Sequence, residues 1–181
     1  MNQFKPLEDL VNRSKKIGED QSLVLFGGGN TSSKGEINDH LGRLRSVLWV
    51  KGSGADMQFA EAQDYPALYL EELLALGKFE DLDDEQMVDY VTRSLVDPTS
   101  RRPSIETLLH AFLPAKHIDH VHADSICALT NHPKGKLAVR EALGDGFAYV
   151  DWFRPGFNLS KIVGTLKDHE GVVLAHHGLV V

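Results

Sequence analysis

Short apolar segments that alternate with helix-like stretches constrain the fold of this chain more than any other feature of its sequence. Residues 22–26, 47–50, 147–150 and 172–175 are brief apolar runs, as expected for buried strands. Residues 117–122 alternate apolar and polar side chains, which also favours a strand. Because strands and helices alternate without regular βαβ units, the sequence predicts a layered α/β domain around a mixed sheet.

The helical segments are recognised by their spacing and by residues that can cap them. Leu10 and Ile17 share one helical face. Asp83 or Asp84 can cap a later helix, and Ser104 can cap another. The sequence therefore predicts helices at residues 6–17, 66–76, 84–96, 104–112, 124–131, 135–143 and 158–168.

Composition limits the classes of protein to which the chain can belong. Its length of 181 residues predicts one domain, residues 1–181, and a net charge of -7 without any basic run argues against nucleic acid. No apolar stretch approaches the roughly 18 residues of a membrane span, and no signal peptide is visible, so we expect a cytoplasmic protein without a membrane partner. Cys127 is the single cysteine, so a transition-metal site must use histidine and carboxylate. The chain stops within the apolar run 179–181, and we therefore expect a domain truncated at its C-terminus.

His120, Val121 and His122 form the sharpest local pattern. Residues two apart in an extended strand point to the same face, so both imidazoles can reach one ion. The alternative is a pair of polar residues on a solvated strand face. His177 follows another apolar strand, where polar side chains need partners, and a third imidazole favours the metal site. Three imidazoles with an open fourth position are typical of a catalytic zinc site.

Glu106 lies in the first turn of a predicted helix, where the helix dipole favours a carboxylate. It is either a plain capping residue or an acid and base beside the metal. His110 follows four residues later on the same helical face, so it is a rival ligand or a hydrogen-bond partner. We place His110 outside the set of ligands.

Loops rich in small residues follow two of the predicted strands. Residues 27–33 offer backbone N–H groups and small hydroxyls to an anion, and residues 51–54 form a second such loop. Together with Ser104, three hydroxyl-bearing loops could meet one anion, although ordinary turn chemistry explains each loop alone. The dinucleotide and P-loop patterns are absent, so nucleotide binding is not predicted.

Taken together, these segments resemble the class II aldolase and adducin head family. They are most similar to the aldolase part of the bifunctional rhamnulose-1-phosphate aldolase/short-chain dehydrogenase proteins, which carry a dehydrogenase region downstream. The resemblance implies a three-layer αβα domain around a central mixed, mainly antiparallel sheet. It is carried by residues 28–32, 49–54, 103–110, 117–122, 154–157 and 177–179.

The resemblance also implies a site. The metal would be zinc, with another divalent metal possible, and Glu106 would move the substrate proton. One departure is Ile105, which stands where simpler aldolases have a second serine. The implied metal ligands are His120, His122 and His177, and the residues that hold the substrate phosphate are Gly29, Asn30, Ser53, Gly54 and Ser104.

The implied reaction is cleavage of a ketose 1-phosphate, with rhamnulose 1-phosphate expected, to dihydroxyacetone phosphate and an aldehyde. The sequence does not locate the acid that protonates the aldehyde oxygen, and Tyr149 is only one of several tyrosines. The resemblance implies a homo-oligomer, typically a tetramer with the site near a subunit boundary. The alternatives are a pentulose-phosphate epimerase or other enediolate chemistry on the same metal site, and an adducin-like binding module, a class that lacks the metal histidines.

Overall fold

Residues 5–181, which the computed structural model describes, form seven strands and seven α-helices. The strands are β1 (Asn30–Asn38), β2 (Leu44–Val50), β3 (Ala67–Tyr69), β4 (His117–Val121), β5 (Phe147–Val150), β6 (Gly171–Leu174) and β7 (Gly178–Val180). The helices are α1 (Lys5–Gly18), α2 (Leu70–Leu76), α3 (Asp84–Arg93), α4 (Thr107–Phe112), α5 (Asp124–Thr130), α6 (Gly135–Leu143) and α7 (Phe157–Gly164). None of the helices in this range is long and apolar enough to cross a membrane.

All seven strands belong to one sheet with the order β3-β2-β1-β4-β7-β6-β5. Only β5 and β6 pair in parallel, and the other neighbours are antiparallel, which confirms the mixed, mainly antiparallel sheet. β4 lies at the centre of the order. Its His120 is paired with Asn30 of β1 on one side and with Val180 of β7 on the other.

Side chains alternate across the sheet and bury helices against both of its faces. On β2, Leu48 and Val50 pack with residues of α2, α3 and α4, whereas Val47 and Trp49 pack with α1 on the opposite face. Helix α7 joins the first face, and α5 and α6 cover the second. Burial of each Val or Leu side chain stabilises the fold by about 1.5–3 kcal/mol relative to leaving it exposed, so packing on both faces of the sheet contributes to stability. The three-layer αβα arrangement is confirmed.

Strand β1 was not predicted, because its sequence is polar. Ser32 and Ser33 are nevertheless fully buried. The hydroxyl of Ser32 lies 2.8 Å from Nδ1 of His110, and that of Ser33 lies 2.9 Å from Nδ1 of His117. Buried polar groups are tolerated when they have hydrogen-bond partners, so β1 is held by its contacts rather than by apolar periodicity.

The strand predicted at residues 22–26 is wrong. The segment forms turns, and Phe26 takes a positive φ of 50°. Only Val24 of its apolar side chains is buried, whereas Leu25 is 50% exposed and Phe26 80% exposed. An apolar run therefore does not become a strand here, because most of it finds no neighbour to pack against.

Most other predicted elements are present with shifted ends. Of the two predicted caps, Asp83 and Asp84, the structure uses Asp83 for α3. Its carboxylate accepts a hydrogen bond from the backbone N–H of Gln86. The helix expected from Ser104 begins instead at Thr107, with Glu106 at its N-cap. The short β7, which follows His177, was also not predicted.

Candidate metal centre and adjoining cavity

Three imidazoles converge at the centre of the sheet, and we call them the imidazole cluster. His120 lies in β4, His122 directly follows it, and His177 lies in the turn before β7. Nε2 of His120 is 3.1 Å from Nε2 of His122 and 3.3 Å from Nε2 of His177. Three nitrogens bound to one zinc ion in tetrahedral geometry lie about 3.3 Å apart. The structure thus brings together the three predicted ligands at a spacing that fits a metal ion.

The pairing of β4 with β7 explains why the rings can approach each other. A Cβ on Gly178 would lie 2.2 Å from the backbone oxygen of Val121 and 3.2 Å from ring atoms of both His120 and His122. Nδ1 of His120 lies 3.1 Å from the backbone oxygen of Leu179. A carbonyl only accepts, so Nδ1 carries the proton and Nε2 keeps its lone pair for a metal.

Glu106 closes the open side of the imidazole cluster. Its Oε1 lies 3.5 Å from Nε2 of His120 and 3.4 Å from Nε2 of His177. Among residues 5–181 this buried oxygen has no hydrogen-bond partner. An unsatisfied buried carboxylate oxygen beside three imidazoles fits a divalent cation, which would satisfy it.

The protonation states also suit metal binding. Burial lowers the pKa of His122 to about 4 and also lowers the pKa of His177, so these two rings are neutral near pH 7. Burial alone would raise the pKa of Glu106, but the neighbouring His120 and His177 and a hydrogen bond from Asn30 outweigh it, and its pKa is lowered. Neutral imidazole and ionised carboxylate are the forms that ligate metals.

The structure places His110 behind Glu106 rather than among the ligands. Its ring is fully buried, with Nε2 against Oδ1 of Asn30 and Nδ1 against the hydroxyl of Ser32. Nδ2 of Asn30 donates to Oε2 of Glu106 at 2.7 Å. Both ring nitrogens of His110 are therefore engaged, which matches the hydrogen-bond role preferred from the sequence.

The predicted phosphate residues lie on loops that touch each other. Nδ2 of Asn30 lies 3.2 Å from the hydroxyl of Ser104. A Cβ on Gly27 would lie 3.3 Å from Cα of Gly54, so the two glycine-containing loops are adjacent. Gly29 has a φ of +58°, and a Cβ there would lie 2.6 Å from the backbone oxygen of His120. Close packing of the backbone against β4 thus requires glycine at this position.

Lys51 holds these two loops together from inside, a feature that no sequence pattern indicated. Its side chain is buried, and Nζ donates to the backbone oxygens of Gly27 at 3.0 Å and Ala55 at 2.5 Å. No carboxylate of the described chain forms an ion pair with it. Burial lowers the pKa of Lys51 to about 8.

A cavity of about 240 Å³, which we call the Arg102 cavity, lies between α3 and the loop before α4. Ser53 and Ser104 both line it, and Ile105 contributes an apolar wall. Neighbouring Arg101 is engaged, because it lies 2.6 Å from Oδ1 of Asp64. The full lining is Ser53, Met87, Val88, Val91, Thr92, Arg102, Pro103, Ser104 and Ile105.

Arg102 itself differs from Arg101 in having an unengaged guanidinium. Within residues 5–181 its side chain forms no hydrogen bond and no ion pair, although its backbone oxygen accepts from the backbone of Ser53 at 2.9 Å. Sequence reasoning missed this residue, since one arginine in a polar loop carries no local signal. The contact with Ser53 places it beside two predicted phosphate residues.

Comparison with known proteins gives relatives over nearly the whole chain. An uncharacterized oxidoreductase of Bacillus subtilis (strain 168), YuxG, is 43% identical over 180 residues, which are 97% of this chain and 26% of that protein. The chain therefore spans about a quarter of the length of this curated relative.

Solved structures show the same fold. The N-terminal class II aldolase domain of a conserved protein from Thermoplasma acidophilum is 40% identical with a TM-score of 0.91, over 97% of this chain and 82% of that one. The l-fuculose-1-phosphate aldolase from Thermus thermophilus has a TM-score of 0.62 at 16% identity, over 97% of this chain and 78% of that one.

Residues 8–181 match the family described as Class II Aldolase and Adducin N-terminal domain. This range includes the imidazole cluster, Glu106 and every predicted phosphate residue. The chain belongs to the class II aldolase and adducin N-terminal domain family.

Proposed function

We propose that this chain is a zinc-dependent lyase that cleaves a ketose 1-phosphate, with rhamnulose 1-phosphate as the expected substrate. The observation that carries the proposal is the spacing of the three Nε2 atoms beside the unpaired Oε1 of Glu106. Four fixed protein ligands close a structural zinc site, whereas here three imidazoles would hold the ion and the carboxylate of Glu106 would occupy or leave the fourth position. His120, His122 and His177 would hold the ion.

The residues of this site suit a retro-aldol cleavage, in which the bond between the α and β carbons of a carbonyl compound breaks. A divalent cation, when bound, supplies Lewis-acid polarisation of the substrate's carbonyl group. Oε1 of Glu106 takes a proton from the substrate and returns it, since this oxygen is unpaired and reaches the cluster. Glu106 is only 6% exposed and His120 is fully buried, so bulk water is kept away from the proton transfer.

The adjoining cavity supports a phosphate-bearing substrate. Ser53 and Ser104 offer hydroxyls to it, and Arg102 offers an unengaged cation. Arginine binds phosphate oxygens through paired N–H groups. Arg102 can therefore supply a phosphate contact that Ile105, standing in place of a second serine, does not. A solved relative of the same fold is an aldolase of l-fuculose 1-phosphate, which is also a ketose 1-phosphate.

The relative named as an oxidoreductase does not conflict with a lyase site in this chain. The match covers 26% of that protein, so most of its length lies outside the residues compared. We propose that the matched quarter carries the metal-dependent chemistry, and that any oxidoreductase activity resides elsewhere in such a protein.

Metal and product analysis of the purified chain tests the proposal. We expect about one zinc per chain and release of dihydroxyacetone phosphate from rhamnulose 1-phosphate. Fuculose 1-phosphate and ribulose 5-phosphate are assayed in parallel. Epimerisation of ribulose 5-phosphate without cleavage of either ketose 1-phosphate would replace the lyase with an epimerase. A folded protein that retains no metal after exposure to excess metal would support a binding module. Light scattering tests the predicted homo-oligomer.

A further inference from the structure

A chain of four buried side chains connects strand β1 to the carboxylate of Glu106. The hydroxyl of Ser32 contacts Nδ1 of His110, Nε2 of His110 contacts Oδ1 of Asn30, and Nδ2 of Asn30 contacts Oε2 of Glu106. Ser32 and His110 are fully buried, and Asn30 is 4% exposed. Because water does not reach these contacts, each member depends on its neighbour for a partner.

The carboxylate fixes the direction of every bond in this chain. An ionised Glu106 only accepts hydrogen bonds, so Asn30 must turn its NH₂ group toward Oε2. The amide oxygen then faces Nε2 of His110, and that nitrogen must carry a proton to donate. Burial lowers the pKa of His110 to about 3, so the ring is neutral and its Nδ1 accepts from the Ser32 hydroxyl.

We propose that His110 is a positioning residue that locks the orientation of the Asn30 amide and thereby selects Oε1 of Glu106 as the oxygen that faces the imidazole cluster. Without the donor of His110, the buried amide oxygen of Asn30 loses its partner, and only the NH₂ group still holds the amide, through Glu106 and the hydroxyl of Ser104. A buried acceptor without a partner costs free energy, so the amide shifts to find a new donor and Glu106 loses its fixed geometry. The catalytic consequence rests on the proposed function of Glu106, whereas the hydrogen-bond pattern does not.

Nitrogen NMR of histidine-labelled protein tests the pattern without any activity measurement. Spectra of the metal-free chain at pH 7 distinguish the two neutral tautomers, and the resonances of His110 are identified by their absence from His110→Gln. We expect a neutral ring with the proton on Nε2. A ring protonated on Nδ1, or on both nitrogens, would overturn the proposal, since either state reverses or breaks the chain.

Paired substitutions test the consequence. The amide of glutamine in His110→Gln can still donate to Asn30, whereas His110→Leu cannot. We expect His110→Leu to keep its zinc and KM while kcat falls about 10- to 100-fold, as for other residues that orient a site from behind. We expect His110→Gln to recover most of that loss. His40→Gln, at an exposed histidine, is the control.

The outcomes separate this proposal from the lyase proposal. If the unaltered chain cleaves none of the ketose phosphates, the lyase proposal fails and the tautomer of His110 still decides the positioning role. If His110→Leu retains normal kcat, the positioning role fails and the lyase proposal stands. Should His110→Leu not fold, a comparison of kcat and KM between His110→Gln and the unaltered chain, together with the tautomer, still gives a decision.

Discussion

The imidazole cluster and the Arg102 cavity are neighbours, but they are built in different ways. The cluster lies on the central strands, where the pairing of β4 with β7 and the missing side chain of Gly178 set the distances between rings. The cavity is lined by two loops and by one face of α3, and the one cation in its lining has no partner in the described chain. The sheet thus fixes the imidazole cluster, whereas loops supply most of the polar groups that line the cavity.

This difference predicts two kinds of response to substitution. Under the proposed function, a substitution in the imidazole cluster or at Glu106 would remove a metal ligand or the acid–base group. No other side chain can replace these groups, so the loss of activity should be nearly complete. Under the proposed function, a substitution in the cavity would remove one of several groups that bind the same phosphate, so the loss of activity should be graded. The substitutions below test this contrast, beginning with the largest expected effect.

Replacement of His122 should have the largest effect. His122→Ala removes one of three imidazoles, and we expect less than one-tenth of the zinc content and a loss of turnover of at least about 1000-fold, since Lewis-acid stabilisation contributes several kcal/mol. Metal analysis and product formation measure the two effects. His132→Ala, at an exposed histidine outside the cluster, is the control. Normal zinc content in His122→Ala would remove this residue from the ligand set.

Replacement of the carboxylate should separate chemistry from metal binding. We expect Glu106→Gln to retain zinc and to lose about 10²- to 10⁴-fold in kcat, because an amide cannot take up the substrate proton. Steady-state kinetics and metal analysis of the same sample give both values. The exposed Glu141→Gln serves as the matched control. Turnover by Glu106→Gln at the rate of the unaltered chain would contradict its role in proton transfer.

Replacement of the unengaged guanidinium should give a graded effect. We expect Arg102→Gln to raise KM for a ketose 1-phosphate about tenfold with little change in kcat, since a hydrogen bond to a charged group contributes about 1.5 kcal/mol. The effect should weaken at high salt. Arg93→Gln removes the same charge from α3 outside the cavity and should leave KM unchanged. A fall in kcat equal to that of Glu106→Gln would erase the distinction between the two regions.

Acidification should give the smallest effect, on the stability of the metal-free protein. His110 and His122 are held neutral by burial, with pKa values of about 3 and about 4 against an ordinary value of 6.5. The unfolded chain therefore binds more protons below pH 6.5, so stability falls as pH falls through this range. At pH 5.5 the fully buried ring of His110 should cost roughly 1 kcal/mol and the partly exposed ring of His122 less, and Tm should fall by about 5 °C relative to pH 7.5.

Calorimetry of the metal-free chain at the two pH values measures this shift. The same comparison on His110→Gln should show a smaller fall in Tm, because one of the two titrating rings is gone. A Tm that is equal at both pH values would contradict the buried, neutral state of these imidazoles.

The sequence was sufficient to predict the fold class and the three histidines that converge. Periodicity located β2, β4, β5 and β6, because their apolar side chains face helices. The His-x-His pattern required only that residues 120–122 be extended, and β4 provides this through residue 121. That His177 would join them followed from its place after a buried strand and from the family resemblance.

The missed and incorrect predictions have a common physical cause. Each depends on contacts between residues that are far apart in the sequence. Strand β1 is stabilised by buried hydroxyls that contact distant histidines: 78 positions separate Ser32 from His110, and 84 separate Ser33 from His117. The run 22–26 has the composition of a strand but few neighbours. Arg101 pairs with Asp64, 37 positions away, whereas the adjacent Arg102 has no such partner in the described chain. None of these facts is visible in a local window of sequence.

Binding of the proposed zinc ion would be coupled to unfolding through the position of His177. His177 lies 57 positions after His120, so an ion held by both would close a long loop in the way that a cross-link does. Separation of β7 from β4 would require release of the ion. Zinc at 100 times its dissociation constant would raise the free energy of unfolding by about 2.7 kcal/mol. Resistance of the β7 segment to proteases should therefore report how much of the protein is loaded.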